Sequence, residues 1–246
     1  LEWQEPAAVL EINPYGEGDA LVTLLAAEHG LWRGLVRGGR ARGKSATWQI
    51  GNLITARWTA RQTENLGQFT GELVYPGAAL AMPDPLNLAI LNAACALVTG
   101  ALPEREPHPP IFAGLARLLA AMNLEGLALP TLIKWELDLL RDLGFGLELA
   151  SSAIAGDNDR LAFVSPRTGR AVSLSAAGEW ANRLLKLPPF LVDDSEPDTA
   201  DCLAGLKLTG HFLARDLFGA RHRPLPPARE RLYDLLQERQ GDQACQ

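Results

Sequence analysis

The sequence predicts an α+β protein in which a small N-terminal β-barrel precedes an α-helical domain with a small irregular, turn-rich insertion. Over residues 7–76, short strand-like apolar runs alternate with turn clusters such as Asn13-Pro14-Tyr15-Gly16 and Glu28-His29-Gly30. Beyond Pro83-Asp84-Pro85 the apolar period lengthens to that of helices. Between about 147 and 176 neither period persists, so the expected organisation is a barrel domain over 1–80 and a helical domain over 81–246 that carries the insertion.

Strands are expected over 7–12, 20–27, 31–37, 53–61 and 68–75, enough for a small barrel. In the fourth, Thr55, Arg57, Thr59 and Arg61 share one face and leave Ile54, Trp58 and Ala60 for the other. Leu86, Ala89, Ile90, Ala93 and Leu97 make one helical stripe, and Ile111, Leu115, Leu118, Leu119 and Met122 make another. A third helix starts after Pro130 and ends near Leu143, where Gly144 and Gly146 supply stop positions. A short hairpin is expected around 161–164 and 170–172, followed by helices over 176–186, 199–218 and 227–239.

The totals bound the function. A net charge of −6 and a pI near 5.3 exclude a protein that coats nucleic acid with its whole surface, so any such site must be local. Cys95, Cys202 and Cys245 are isolated, which fits a reducing compartment and forms no metal or disulfide framework. The acidic N-terminus and the lack of a long apolar run predict a cytoplasmic chain without a signal peptide or membrane span. His29, His108, His211 and His222 have no metal-site spacing, and no nucleophile motif is present, so no enzyme is expected.

Gly38 to Ser45, G-G-R-A-R-G-K-S, satisfies the phosphate-loop pattern G-x-x-x-x-G-K-[ST]. A working phosphate loop needs an apolar central strand before it and a helix after it. Here the preceding stretch carries Arg33, Gly34 and Arg37, and Gly51-Asn52 interrupts the following one after barely a helical turn. Phe190-Leu191-Val192-Asp193 resembles a magnesium-holding strand end, but Pro188-Pro189 precedes it. An ATP-binding protein therefore remains only an alternative, as does a scaffold that binds proteins and no DNA. The favoured reading is a binder of nucleic-acid backbone. The run from His29 to Gln62 holds Arg33, Arg37, Arg40, Arg42, Lys44, Arg57 and Arg61 and no acid. Trp58 and Phe69 read as barrel core, while Trp32 and Trp48 stay open between core and base-stacking platforms.

Two further patches stand out. Arg215, Arg221 and Arg223 form a possible secondary DNA contact, with helix C-terminal cations as the competing explanation. Lys134 and Arg141 beside Trp135 and Leu139 could border an apolar pocket, although such a stripe also suits a core.

The chain resembles the RecO recombination-mediator family. The resemblance rests on Tyr15-Gly16-Glu17-x-Asp19, Glu28-His29-Gly30 and Val36-Arg37-Gly38-Gly39-Arg40. It continues through Glu104-Arg105-Glu106-Pro107-His108-Pro109, the helix from Trp135 to Gly146, and Phe163-Val164-Ser165-Pro166-Arg167-Thr168-Gly169. It implies an N-terminal OB-fold that binds single- and double-stranded DNA, annealing of complementary strands, and action with RecR in loading RecA on DNA coated by single-stranded-DNA-binding protein. That protein's C-terminal tail is then the implied occupant of the Lys134 pocket. Many members carry a four-cysteine zinc module whose ligand places fall here on Ser152, Ala155, Ser173 and Ala176. Neither Ser nor Ala replaces a thiolate there, so no zinc and no other cofactor is expected, and Leu161, Phe163 and Val172 should help hold the loop.

Overall fold

The protein was analysed as a computed structural model that describes residues 1–62, 65–152 and 160–244. The chain forms two compact units, Leu1–Ala128 and Leu129–Gln246.

In the first unit, strands β1 (Glu2–Tyr15), β2 (Asp19–Ala26), β3 (Gly30–Val36), β4 (Leu53–Thr59) and β5 (Gln68–Tyr75) close a barrel in the order β1-β2-β3-β5-β4. This is the OB-type barrel that the sequence led us to expect. The length of β1 makes closure possible: residues 2–8 pair with β4 and residues 7–15 with β2, across a register shift between Val9 and Glu11. The β3–β5 seam is held by a single parallel register pair, Leu35↔Gln68, which leaves the barrel partly open below it.

Alternation along the strands sends Val22, Leu24, Trp32, Ile54, Trp58 and Phe69 into the barrel core. Trp32 and Trp48 join them at 6 % and 3 % exposure, so the stacking-platform reading of these two is corrected: the barrel consumes both indoles as filling. Gly34, unexpected in an apolar strand, makes the room, because a Cβ there would lie 2.6 Å from the Phe69 ring. Outside the barrel, β1 packs against helices lying C-terminal to the strands. These are α2 (Pro85–Ala101), which Asp84 caps through the Leu86 amide at 2.9 Å, and α3 (Pro109–Ala121), while α1 (Gly77–Ala81) packs on α2.

The second unit begins with α4 (Ala128–Asp142) and a four-stranded sheet of order β6-β8-β7-β9. Its strands are β6 (Glu148–Ser152), β7 (Leu161–Val164), β8 (Arg170–Ser173) and β9 (Leu185–Lys186). The helix expected over 176–186 is not formed. Gly178, at φ +43°, stops α5 (Leu174–Ala177), a 3-10 turn spans Gly178–Arg183, and Leu185 and Lys186 pair with Val164 and Phe163. The single helix expected over 199–218 is α6 (Thr199–Phe212) continued as a π turn over Leu213–Phe218. The last helix is α7 (Pro227–Ala244). Cys95 and Cys202 are free and buried, and burial pushes their thiols up to about 12 and about 11.

The core of this unit contains a charge pair. Glu136 of α4 and Arg229 of α7 are almost completely buried and joined by Nε donating to Oε1 at 2.5 Å and Nη2 donating to Oε2 at 3.0 Å. Arg229 also donates to the Leu206 carbonyl at 2.8 Å and to Thr209 Oγ1 at 3.2 Å, while the Thr209 hydroxyl donates to Glu136. One cluster of five hydrogen bonds thus ties α4, α6 and α7 together, and paired, hydrogen-bonded surroundings are the condition under which a buried charge is tolerated. Arg229→Met should cost about 3–5 kcal/mol in urea unfolding of the full chain, because it strands a buried carboxylate. Adding Glu136→Leu should recover most of the loss, and an unchanged midpoint for the single variant would contradict this account.

Candidate nucleic-acid interface

The basic loop between β3 and β4 is a chain of turns pinned at both ends. At its start, the carboxylate of Asp19 on β2 accepts the Gly38 amide at 2.7 Å, and the Arg40 amide donates to the Gly18 carbonyl at 3.2 Å. Those two contacts give the Tyr15-Gly16-Glu17-x-Asp19 segment its structural meaning: the β1–β2 turn is the bracket on which the loop hangs. Within the loop, the amides of Ala41, Lys44, Ser45 and Thr47 each donate three or four residues back, and the Lys44 ammonium donates to the Arg37 carbonyl at 3.2 Å. At its end, the buried Asn52 side chain donates to the carbonyls of Ala46 at 2.8 Å and Thr47 at 3.2 Å and accepts the Ala78 amide at 3.2 Å. Sequence reading took Asn52 for a turn residue; its role shows only when the first turn of α1 folds back onto it.

Between these pins Arg37, Arg40, Arg42 and Lys44 are exposed, and none of them forms an ion pair with a described residue. The loop has no helix behind it and no apolar central strand before it, so the phosphate-loop match lacks the cradle that a nucleotide requires. Phe190-Leu191 likewise lies in a 3-10 turn, Pro189–Leu191, and not at a strand end.

The other cations of the run are placed differently. Arg33 points outward from β3 but is paired with Glu104 at 3.1 Å, and Arg57 points outward from β4 and is paired with Glu2 at 2.6 Å. The same pairing holds the Glu2 carboxyl below its usual range, chiefly through the hydrogen bond from Arg57. The acid-free run is therefore acid-free along the chain and not in space. Thr55, Arg57 and Thr59 do share the outer face, with Ile54, Ala56 and Trp58 inside, but β5 lies between β4 and β3 and separates that face from Arg33. Arg61 returns to the neighbourhood of β3: it lines a shallow groove with Leu35, Thr59, Leu66 and Gln68, where the Leu35 amide donates to the Gly67 carbonyl at 3.1 Å.

Two sequence motifs meet on the open side of the barrel. Gly30, at φ +70°, lies so close to residue 106 that a Cβ would fall 1.8 Å from the Glu106 carbonyl oxygen, so no other residue fits. Glu5 accepts the amides of Glu28 and His29, and the His29 ring stacks on Trp3 with centroids 4.9 Å apart. Beside them, Leu31 and Glu104 form a parallel bridge, the Arg105 amide donates to the Leu31 carbonyl at 2.8 Å, and the Arg105 guanidinium lies 4.8 Å from the Trp32 ring centroid. The Glu104-Arg105-Glu106 segment thus fills the gap that β5 leaves along β3.

In the second unit, Arg215 is committed to structure. It grips Asp216 through two nitrogens at 2.5 and 2.6 Å, donates to the carbonyls of Pro166 and Arg167, and lies over the Phe212 ring. The proposed phosphate contact of Arg215 is corrected on that ground; Arg221 and Arg223 stay exposed on either side of His222, which sits at φ +54°. Arg215 and His211 both hold the Pro166 carbonyl of the β7–β8 turn. There Ser173 caps α5 by accepting the Ala176 amide at 3.2 Å, so two of the compared ligand places are bonded to each other. Among the described residues of this sheet Val164, Ala171 and Ser173 are buried, whereas Leu161, Phe163 and Val172 are half-buried. Ala155 lies outside the described residues.

The apolar pocket expected around Lys134 is also redrawn. Trp135 and Leu139 are 2 % and 0 % exposed and belong to the core, because α4 turns that face inward. Lys134 and Arg141 instead border a surface depression with Leu137, Asp138, Phe190 and Leu191. An adjoining groove adds Leu147, Leu149 and Leu161.

Asn52→Ala removes two donors and one acceptor from buried backbone partners, and should cost about 1–3 kcal/mol in unfolding free energy. The same change should raise amide hydrogen exchange over 44–49; an exchange pattern identical to the parent would show that Asn52 does not hold the loop.

Comparison with known proteins agrees with this architecture. The family model described as Recombination protein O N terminal matches residues 1–76, and that described as Recombination protein O C terminal matches residues 82–225. The chain is 58 % identical over 243 residues to a protein of Acidiphilium cryptum named DNA repair protein RecO, covering 97 % of each. Proteins of the same name from Gluconacetobacter diazotrophicus and Granulibacter bethesdensis are 54 % and 53 % identical, with 96 % of this chain covered and 95 % and 96 % of theirs. A closed OB-like barrel with a pinned basic loop, followed by a helical region and matched end to end by these proteins, makes the chain a member of the RecO family.

Proposed function

We propose that the protein is a non-enzymatic mediator of recombinational DNA repair that binds single- and double-stranded DNA through the β3–β4 loop and anneals complementary strands. The observation that carries this reading is the set of four exposed cations, Arg37, Arg40, Arg42 and Lys44, on a loop whose backbone is fixed by Asp19 and Asn52. Fixed cations neutralise phosphate and release counterions without the loop first having to be ordered. Arg61 extends the surface toward the groove beside Leu35. Arg33 and Arg57 join it by exchanging partners: their carboxylate pairs are exposed, and such pairs contribute only about 0–1 kcal/mol, little enough for a phosphate to displace. The remaining acidic surface keeps the protein from coating DNA indiscriminately, so contact is confined to local basic surfaces.

Residues 1–80 form the DNA-binding domain in this proposal, and the helical domain of 81–246 meets partners. These are RecR and the C-terminal tail of single-stranded-DNA-binding protein, through which RecA is loaded in the cytoplasm at the nucleoid. An acidic tail with an aromatic end suits the groove bordered by Arg141, Leu137, Leu147 and Leu149, where a cation stands beside an apolar floor. Arg221 and Arg223 provide a secondary DNA contact.

Fluorescence anisotropy with a labelled single-stranded oligonucleotide tests the reading. With four phosphate contacts, log affinity should fall against log salt with a slope of about −3. Arg37→Glu with Arg40→Glu should flatten that slope and weaken binding to all sequences alike. Affinity that ignores salt, or a double variant that binds as the parent does, would sink the proposal.

A further inference from the structure

Trp180 is the exception among the tryptophans. Trp32, Trp48, Trp58 and Trp135 are buried and Trp3 is half-buried, whereas Trp180 is 60 % exposed. Keeping an indole in water forgoes the free energy that its burial would release, so the position calls for an explanation. The residue stands in the 3-10 turn Gly178–Arg183, where three residues per turn place side chain i+3 over side chain i. Arg183 accordingly holds its guanidinium 4.9 Å from the Trp180 ring centroid. The turn is fixed at both ends, by Ser173 capping α5 before it and by β9 pairing with β7 after it.

Beside the turn runs a groove of about 560 Å³, of a size that takes a ligand of one or two nucleotides. Ala181 and Asn182 line one side, next in the chain to Trp180, with Lys186 on β9, Lys207 on α6 and Tyr233 on α7 around the rest. Its lining holds both lysines and no carboxylate. The acids nearest in sequence are Glu179 beside Trp180, Asp201 beside Ala200 and Asp234 beside Tyr233.

We infer that this groove is a second single-stranded DNA site, separate from the loop of the first unit. Lys186 and Lys207 within the groove meet phosphates, while Trp180, next in the chain to the lining residue Ala181, stacks on a base beside it and Arg183 meets a flanking phosphate. An apolar patch alone would suit many partners, and two features narrow the choice. A lining with cations and no carboxylate selects a polyanion, and an exposed indole selects unpaired bases, whose π-faces a duplex hides. Two single-strand sites on one chain would let it hold two strands at once, which is what annealing requires.

Photo-crosslinking tests this on the full chain, using oligodeoxythymidylate that carries a single 5-iodouracil. The expected result is an adduct in the peptide containing Trp180. Lys186→Glu with Lys207→Glu should reduce its yield about ten-fold, and Arg37→Glu with Arg40→Glu should leave it in place. Adducts confined to residues 1–128, the absence of any adduct, loss of the Trp180 adduct with the Arg37 and Arg40 changes, or a yield indifferent to the lysine changes would each overturn the proposal. The last of these would leave Trp180 to a protein partner. Should the lysine variants fold poorly, Trp180→Ala against Trp180→Phe decides in the Arg37→Glu, Arg40→Glu background. Alanine should weaken oligonucleotide binding about 5- to 100-fold and phenylalanine should preserve it; equal affinity for both variants would contradict the stacking role.

Discussion

Everything assigned to the first unit depends on two side chains that fix a loop without belonging to it. Asp19 accepts the amide of Gly38, and Asn52 holds the carbonyls of Ala46 and Thr47 while accepting the amide of Ala78. Between these points glycines and arginines alternate in a segment that composition alone would leave floppy. The pins fix the backbone that carries the cations, which in the proposed function lowers the ordering entropy of binding. The barrel makes the pins possible, since Asp19 opens β2 and Asn52 precedes β4.

The β-barrel was legible because alternation and turn chemistry are local. The five strands lie where apolar runs and Gly, Pro and Asn clusters place them, with β1 longer than expected because it serves two neighbours. The outward face of Thr55, Arg57 and Thr59 was legible for the same reason. What could not be read was pairing in three dimensions. Glu2 and Glu104 lie far along the chain from Arg57 and Arg33, and nothing in the run between His29 and Gln62 announces them. Trp32 and Trp48 have the composition of stacking platforms, and only barrel closure decides that they are core. In the second unit the segment 176–186 has helical composition, but the positive φ of Gly178 and the pairing of Lys186 with Phe163 outweigh it. The partner of Glu136 was equally hidden: a glutamate in an apolar helix face becomes intelligible only with Arg229 beside it.

The family resemblance gains a physical content from the same contacts. Its short motifs are where separated segments touch: Glu17-x-Asp19 on Gly38, Gly30 on Glu106, the Pro166 turn on Arg215. Each is a tertiary joint, which explains why motifs of modest specificity taken singly identify the architecture when they occur in order. Ser173 caps α5 through the Ala176 amide, and Arg215 braces the neighbouring β7–β8 turn at the Pro166 carbonyl.

The central claim is that phosphate meets the loop itself, and lysine footprinting measures this most directly. The chain's four lysines are Lys44, Lys134, Lys186 and Lys207, and only Lys44 lies in the loop. Acylation of the full chain, read by mass spectrometry with and without saturating single-stranded DNA, should find Lys44 shielded by the DNA while Lys134 reacts as before. A Lys44 acylation rate that is the same in the free and saturated states would place the DNA elsewhere and contradict the account.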